Sequence, residues 1–295
     1  MHVFVTGATG FVGSAVVQEL LAHGHTVTGL ARSDANAEAL TRAGVQVHRG
    51  SLEDLDSLKT GAAQSDGVLH LGFIHDFSKF AENGQIDKRA IEAMGSVLEG
   101  TNKPFIVTSG TGLVAPGVVA TEDMRREPGP FVPRVSEQTG LAFASRGVRA
   151  MAIRLPQVHG EAGKAGLISY LVESARQKGA AAYVGEGEAR WAAAHRADVA
   201  PLYRLALEKG AADGIYHAVG EEGVPMKQIL DVVGRALNVP AISIKPEQAG
   251  EYYGPLAMFA GLDMPASSAK TQAELGWTPK GIGLITDIGR PGYFA

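Results

Sequence analysis

Val3 to Gly13 reads VFVTGATGFVG, three glycines three residues apart directly behind a short apolar run. Val16, Val17, Leu20 and Leu21 come next at helical spacing as far as Gly24, so the stretch predicts strand, tight turn, helix. Glycines at this spacing divide three tasks. Gly7 permits the turn, Gly10 permits a close approach to the backbone, and Gly13 lets the helix pack on the strand. Many helix-opening turns use glycine only to reach positive φ, so the triplet takes its weight from the rest of the chain.

Beyond Gly24 the chain alternates between the two kinds of element. Strands are expected near His25 to Leu30, Val45 to His48, Val68 to Leu71, Phe105 to Thr108 and Ala150 to Leu155. A helix is expected after the Ser33-Asp34 cap, and Ile91, Met94, Val97 and Leu98 mark another. Parallel strands need crossovers, and right-handed crossovers put helices on both faces of the sheet. The expectation is a Rossmann-type, doubly wound α/β sheet over residues 1–160, with 189–220 returning to it. A smaller C-terminal lobe is expected from 161–188 and 221–295, where the rhythm loosens and residues 240–265 mix Pro, Gly and aromatics in short pieces.

With 295 residues, 45% of them hydrophobic, the chain can bury a large core. Its formal net charge of -4 offers no general attraction for nucleic acid or anionic lipid. It has no Cys, hence no disulfide or thiolate chemistry, and its first apolar run is too short for a signal or membrane segment. The cytoplasm is the expected compartment. Nine His are scattered without a compact His and carboxylate motif, so no metal is expected.

A glycine triplet between strand and helix, in the first unit of such a chain, suits a pyrophosphate held by backbone N–H groups and the helix dipole. At the end of the second strand Leu30-Ala31-Arg32-Ser33 stands where an NAD site presents Asp or Glu. Arg32 and Ser33 can bind a 2'-phosphate, which favours NADP(H) over NAD(H). The plainer reading makes Arg32 a solvated loop residue and gives the ribose to Asp34.

With Thr6-Gly7-Ala8-Thr9-Gly10-Phe11-Val12-Gly13 the chain resembles the short-chain dehydrogenase/reductase superfamily, in its extended or atypical branch. Similar pieces are Gly50-Ser51-Leu52, Val68-Leu69-His70-Leu71-Gly72, Ile106-Val107-Thr108-Ser109-Gly110, Arg154-Leu155-Pro156-Gln157-Val158-His159-Gly160, His195-Arg196-Ala197-Asp198-Val199-Ala200 and Leu275-Gly276-Trp277-Thr278-Pro279. The resemblance implies that Thr6, Gly7, Thr9, Gly10, Phe11, Val12, Gly13, Ser51, Leu52, Leu71, Gly72, Phe73 and Thr108 line the dinucleotide. It implies further that Ser109 lies beside the nicotinamide, that Pro156 and Val158 border its carboxamide, and that the C-terminal lobe binds substrate.

One departure from that family is chemical. No Tyr is followed four places later by Lys, and aligning Ser136-Glu137 puts Gly129 at the Tyr position and Pro133 at the Lys position. The usual proton donor, worth about 10²- to 10⁴-fold, is missing. Hydride transfer needs another donor, or a substrate such as an iminium that needs none.

Candidate replacements are Ser109, with Thr111 assisting, or else both hydroxyls only satisfy turn backbone. His75 is a second candidate, with Asp76 beside it. His159, His195, Trp191 and Arg134 are candidate substrate contacts. The plainer readings are a capping or core His195, a core Trp191 and an Arg134 paired with Glu137. The expected function is an NADPH-dependent oxidoreductase on a small or medium organic carbonyl or imine. Its rivals are a non-catalytic NADP(H)-sensing protein and a nucleotide-sugar epimerase or dehydratase, and a homodimer is a further expectation.

Overall fold

The computed structural model describes residues 1–112, 114–125, 134–163 and 166–294. Its strands are β1 (His2–Thr6), β2 (Thr26–Ala31), β3 (Gln46–Arg49), β4 (Gly67–His70), β5 (Pro104–Gly110), β6 (Arg149–Leu155), β7 (Gln157–His159), β8 (Ala181–Val184), β9 (Arg190–His195), β10 (Gly214–His217), β11 (Glu221–Pro225) and β12 (Ala241–Ile244). The longer helices are α1 (Phe11–Ala22), α2 (Asp34–Arg42), α3 (Leu55–Ala63), α4 (Phe80–Ser96), α5 (Ser136–Leu141), α6 (Ile168–Lys178), α7 (Arg196–Lys209) and α8 (Met226–Leu237).

Seven strands form one sheet in the order β3-β2-β1-β4-β5-β6-β10, every pair parallel. The order reverses between β1 and β4, the switch point beyond whose carboxyl ends ligands bind in open sheets of this kind. Two cores sandwich the sheet. One packs Val3, Val5, Val16, Leu20 and Ile153 with Leu202, Tyr203 and Leu207 of α7. The other packs Phe4, Val68, Ile91, Met94, Phe105 and Val107.

A third core belongs to the smaller lobe, where α6, α8, the parallel pair β8-β12 and short helical pieces enclose Leu171, Trp191, Ile229, Leu230, Phe259 and Leu284. The expected boundary at residue 160 shifts here. β7 leaves the large sheet and lies beside β9, which pairs in turn with β11. Of residues 189–220, α7 packs on α1 and β10 joins β6, but β9 does not return. The strand pair β7-β9 is therefore the seam between the two lobes. Among the described residues no helix is long and apolar enough to cross a membrane.

Candidate functional site

The turn from β1 to α1 assigns a different role to each glycine. Gly7 has φ +69°, and a Cβ there would sit 2.7 Å from Gly72 N. A Cβ on Gly13 would sit 2.0 Å from Gly7 O. Packing of the chain on itself therefore excludes side chains at both. A Cβ on Gly10 meets only Gly7 O, at 3.1 Å, among the described residues, and its outer face is bare. The N-terminus of α1 also lacks a side-chain cap. Bare backbone beside uncapped N–H groups at the positive end of a helix suits an anion, so these residues fit a dinucleotide's diphosphate.

At the other end of the groove Arg32 is exposed. Ser33 caps α2, its Oγ accepting from Asn36 N at 3.3 Å. Asp34, the alternative ribose ligand, forms an exposed ion pair with Arg49 at 2.7 Å. Ser51 Oγ accepts from Glu53 N, and Leu52 packs toward Gly72.

A chain of buried polar groups runs beneath the carboxyl edge of the sheet. Gly72 N donates to Thr6 Oγ1 (3.1 Å), which lies 2.8 Å from His70 Nδ1. His70 Nε2 donates to Asp87 Oδ1 (3.1 Å), and Ser136 Oγ donates to Asp87 Oδ2 (2.5 Å). Arg134 completes the chain, donating from Nε to Ser136 Oγ (2.7 Å) and from Nη2 to Thr108 O (2.8 Å). Its guanidinium lies 4.0 Å from the centre of the Phe73 ring. Thr108 Oγ1 donates to His70 O and lies 2.8 Å from the buried Tyr203 hydroxyl. Burial alone raises the Asp87 pKa, but the bonds from His70 and Ser136 and the Arg134 charge outweigh it and hold the carboxyl below its ordinary range. Burial lowers the Arg134 pKa against Asp87's pull, and guanidinium stays charged regardless.

This chain corrects several expectations. Arg134 does not pair with Glu137, which instead grips fully buried Arg154 through two bonds of 2.6 and 2.7 Å. Thr6 and Thr108 spend their hydroxyls inside the protein. Thr111 is buried and its hydroxyl turns back to Leu155 O at 3.5 Å. Ser109 is half-buried at the end of β5, with no hydrogen-bond partner for its Oγ among the described residues. Gly129 and Pro133 lie outside the described residues.

His75 is exposed on the loop after β4, edge-on to Phe73 at 5.2 Å. Desolvation by its surroundings and the Arg134 charge lower its pKa, which shrinks the fraction of the ring protonated and able to serve as an acid. Asp76 is committed to a local turn, accepting from Ser78 N and Ser78 Oγ. Phe77, on the same loop, packs edge-on against Tyr170 (5.4 Å) and Phe259 (6.4 Å) of the small lobe.

Trp191 is buried in the small lobe's core, as its plainer reading has it. Val158 is buried too, its side chain in the large core; Pro156 is half-buried. His195 Nδ1 accepts from Ala197 N and caps α7. His159 is fully buried, its Nδ1 2.8 Å from Asp287 Oδ2 and its ring 5.3 Å from that of His195. The potential ligand atoms of His159, His195 and Asp287 lie within 4.8 Å of one another. Sequence spacing hid this trio because Asp287 is 128 positions from His159. His195 uses its Nδ1 lone pair on the cap, which leaves the proton on Nε2, and a metal would have to displace it.

Sequence reasoning also missed Asp87 and Tyr203 as members of this buried chain. Asp87 carried a signal, standing on the apolar stripe that continues through Ala90, Ile91 and Met94 of α4.

A seven-stranded Rossmann-type sheet with a diphosphate-fitting turn and a small lobe hinged on β7-β9 defines an extended short-chain dehydrogenase/reductase. The sequence model of the NAD dependent epimerase/dehydratase family matches residues 3–219, and the chain belongs to that family. It is 48% identical over 296 residues, the whole of both chains, to the uncharacterized protein C2A9.02 of Schizosaccharomyces pombe. It is 47% identical to the uncharacterized protein YLL056C of Saccharomyces cerevisiae, over 98% of each chain. A sterol-4-alpha-carboxylate 3-dehydrogenase of Dictyostelium discoideum is 26% identical over 77% of this chain and 74% of its own. Among solved structures, UDP-glucose 4-epimerase of Thermotoga maritima superposes with TM-score 0.77 and 20% identity, covering 100% of this chain and 98% of that one. A dTDP-glucose 4,6-dehydratase of Streptomyces venezuelae with NAD bound has the same TM-score at 19% identity, covering 100% of this chain and 96% of that one.

Proposed function

We propose that this protein is an NADP(H)-dependent oxidoreductase acting on a small or medium organic carbonyl or imine, with Arg134 and Ser109 standing in for the family's tyrosine and lysine at the substrate oxygen or nitrogen. The observation that carries this reading is the position of Arg134. It is a fixed cation at the carboxyl edge of β5, stacked on Phe73 and oriented by Ser136 and Asp87.

The bound dinucleotide supplies the hydride. The turn at Gly7, Gly10 and Gly13 holds its diphosphate, and Arg32 favours a 2'-phosphate. Arg134 stabilises negative charge developing on a carbonyl oxygen, and Ser109 Oγ donates a hydrogen bond to the same atom. Neither is a strong acid, so the site suits a neutral carbonyl, or a neutral imine, whose developing negative charge the guanidinium holds until solvent supplies the proton, and the Arg134 charge disfavours a cationic iminium.

A nucleotide-sugar substrate is disfavoured. Arg190, the basic side chain beside Trp191, is occupied by Asp263 through bonds of 3.0 and 2.8 Å. The sensor reading has one observation in its favour, the Gly129 and Pro133 in place of the catalytic pair. Titrating the protein with NADPH and NADH, then following NADPH absorbance with a panel of ketones, aldehydes and cyclic imines, decides between enzyme and sensor. Tight NADPH binding without turnover across the panel would leave the sensor.

A further inference from the structure

Arg196 stands where a positive charge is costly twice over. It is the first residue of α7, and its guanidinium reaches the first turn of α1, so the positive ends of two helix dipoles meet it. Nη2 donates to Ser14 Oγ at 3.1 Å, and the guanidinium carbon lies 5.1 Å from the centre of the Phe11 ring. Phe11 and Ser14 both belong to the opening turn of α1, directly after Gly10. A cation held beside an uncapped helix N-terminus is stable only with an anion close by. Glu161 supplies it, paired with Arg196 from the loop just after β7. The Arg196 side chain is only 18% exposed, which strengthens any charge contact it makes.

We infer that Arg196 and Glu161 form an exchangeable ion pair over the diphosphate-binding turn, in which Arg196 leaves Glu161 to hold a phosphate oxygen of the dinucleotide and Glu161 acts as the built-in competitor. This rests on the dinucleotide reading of the site. Phe11 holds the plane of the guanidinium while its partner changes, and Ser14 keeps one N–H anchored.

The two partners must act with opposite signs, and the test uses that. NADPH affinity is measured by fluorescence titration, at low and high salt, for the wild type, Arg196→Gln, Arg196→Lys, Glu161→Gln and the double variant Arg196→Gln/Glu161→Gln. Urea melts establish that each is folded. Arg196→Gln is expected to weaken binding about tenfold and to flatten its salt dependence. Arg196→Lys should fall between, keeping charge but not the planar fork. Glu161→Gln should tighten binding several-fold, and this gain should vanish in the double variant. Glu161→Gln that weakens binding or leaves it unchanged overturns the exchange, even if Arg196→Gln fails to fold. A folded Arg196→Gln that binds like the wild type overturns it as well. A folded wild type that binds neither NADPH nor NADH instead overturns the dinucleotide reading on which the pair depends.

Discussion

Ser136 donates a hydrogen bond of 2.5 Å to Asp87 Oδ2, and through it the neighbouring helix α4 fixes the orientation of Arg134. Asp87 is 1% exposed, so its charge is tolerable only because His70, Ser136 and Arg134 answer it. Asp87→Asn is expected to lower stability by roughly 2–4 kcal/mol and Ser136→Ala by about 1–2 kcal/mol, read from urea melts. Full stability in Asp87→Asn would show that the chain is not a coupled unit.

The three glycines should respond differently to the same methyl group. Gly10→Ala should fold with nearly wild-type stability, since only Gly7 O is near, yet lose NADPH affinity by at least about thirtyfold. Gly13→Ala should fold poorly, because its Cβ falls 2.0 Å from Gly7 O. Thermal melts and cofactor titration on both variants make the comparison.

Arg134 and Ser109 are expected to act on turnover more than on cofactor affinity. Arg134→Gln should reduce kcat/KM about 10²-fold while NADPH affinity changes less than about threefold. Arg134→Lys should not restore the rate, since an ammonium lacks the planar fork that reaches Ser136 and Thr108 O while lying over Phe73. Ser109→Ala should cost about tenfold and His75→Ala little. Steady-state kinetics on the best substrate of the panel ranks them.

Arg32 should set cofactor choice. Arg32→Glu is expected to weaken NADPH by about tenfold or more and to leave NADH unchanged or improved. Unchanged affinity for both cofactors would assign Arg32 to the solvated loop instead.

His217 predicts an acid limb in stability. Burial, with the Arg154 charge beside it, pushes its pKa down to about 4. The unfolded chain takes up that proton near pH 6.5, so between the two values the unfolded state binds one proton more. Stability is therefore full above pH 6.5 and falls on acidification toward 4, with a slope from this group of about 1.4 kcal/mol per pH unit. Denaturant melts from pH 7 to 4.5 should lose that component in His217→Gln.

Much of the fold was legible because its signals are local. Apolar runs such as Phe105 to Thr108 mark buried parallel strands, and Ser33 before Asp34 marks a helix start that the structure keeps. α3 escaped because its apolar face is short, Leu55, Leu58 and Ala62 around a glycine. β7 and β9 fall within or beside quoted motifs but were not expected as strands, and their membership of a separate sheet is a long-range property that no local signal carries. The glycine turn could be read residue by residue. The Asp87 chain could not, because its members come from β1, β4, α4, β5, α5 and α7, and nothing in sequence separation links Thr6 to His70 or Thr108 to Tyr203. Arg134 stands out along the chain, but the sequence points it to the wrong partner, as Glu137 three positions on is the nearest opposite charge. Arg154, on the adjacent strand, is closer to Glu137 in space.

Phe77 extends from the loop that begins at Gly72 and wedges its ring between Tyr170 and Phe259 of the other lobe. Only a few residues earlier, the same strap carries Phe73, on which Arg134 rests. Any swing of the small lobe thus tugs the aromatic floor beneath the guanidinium.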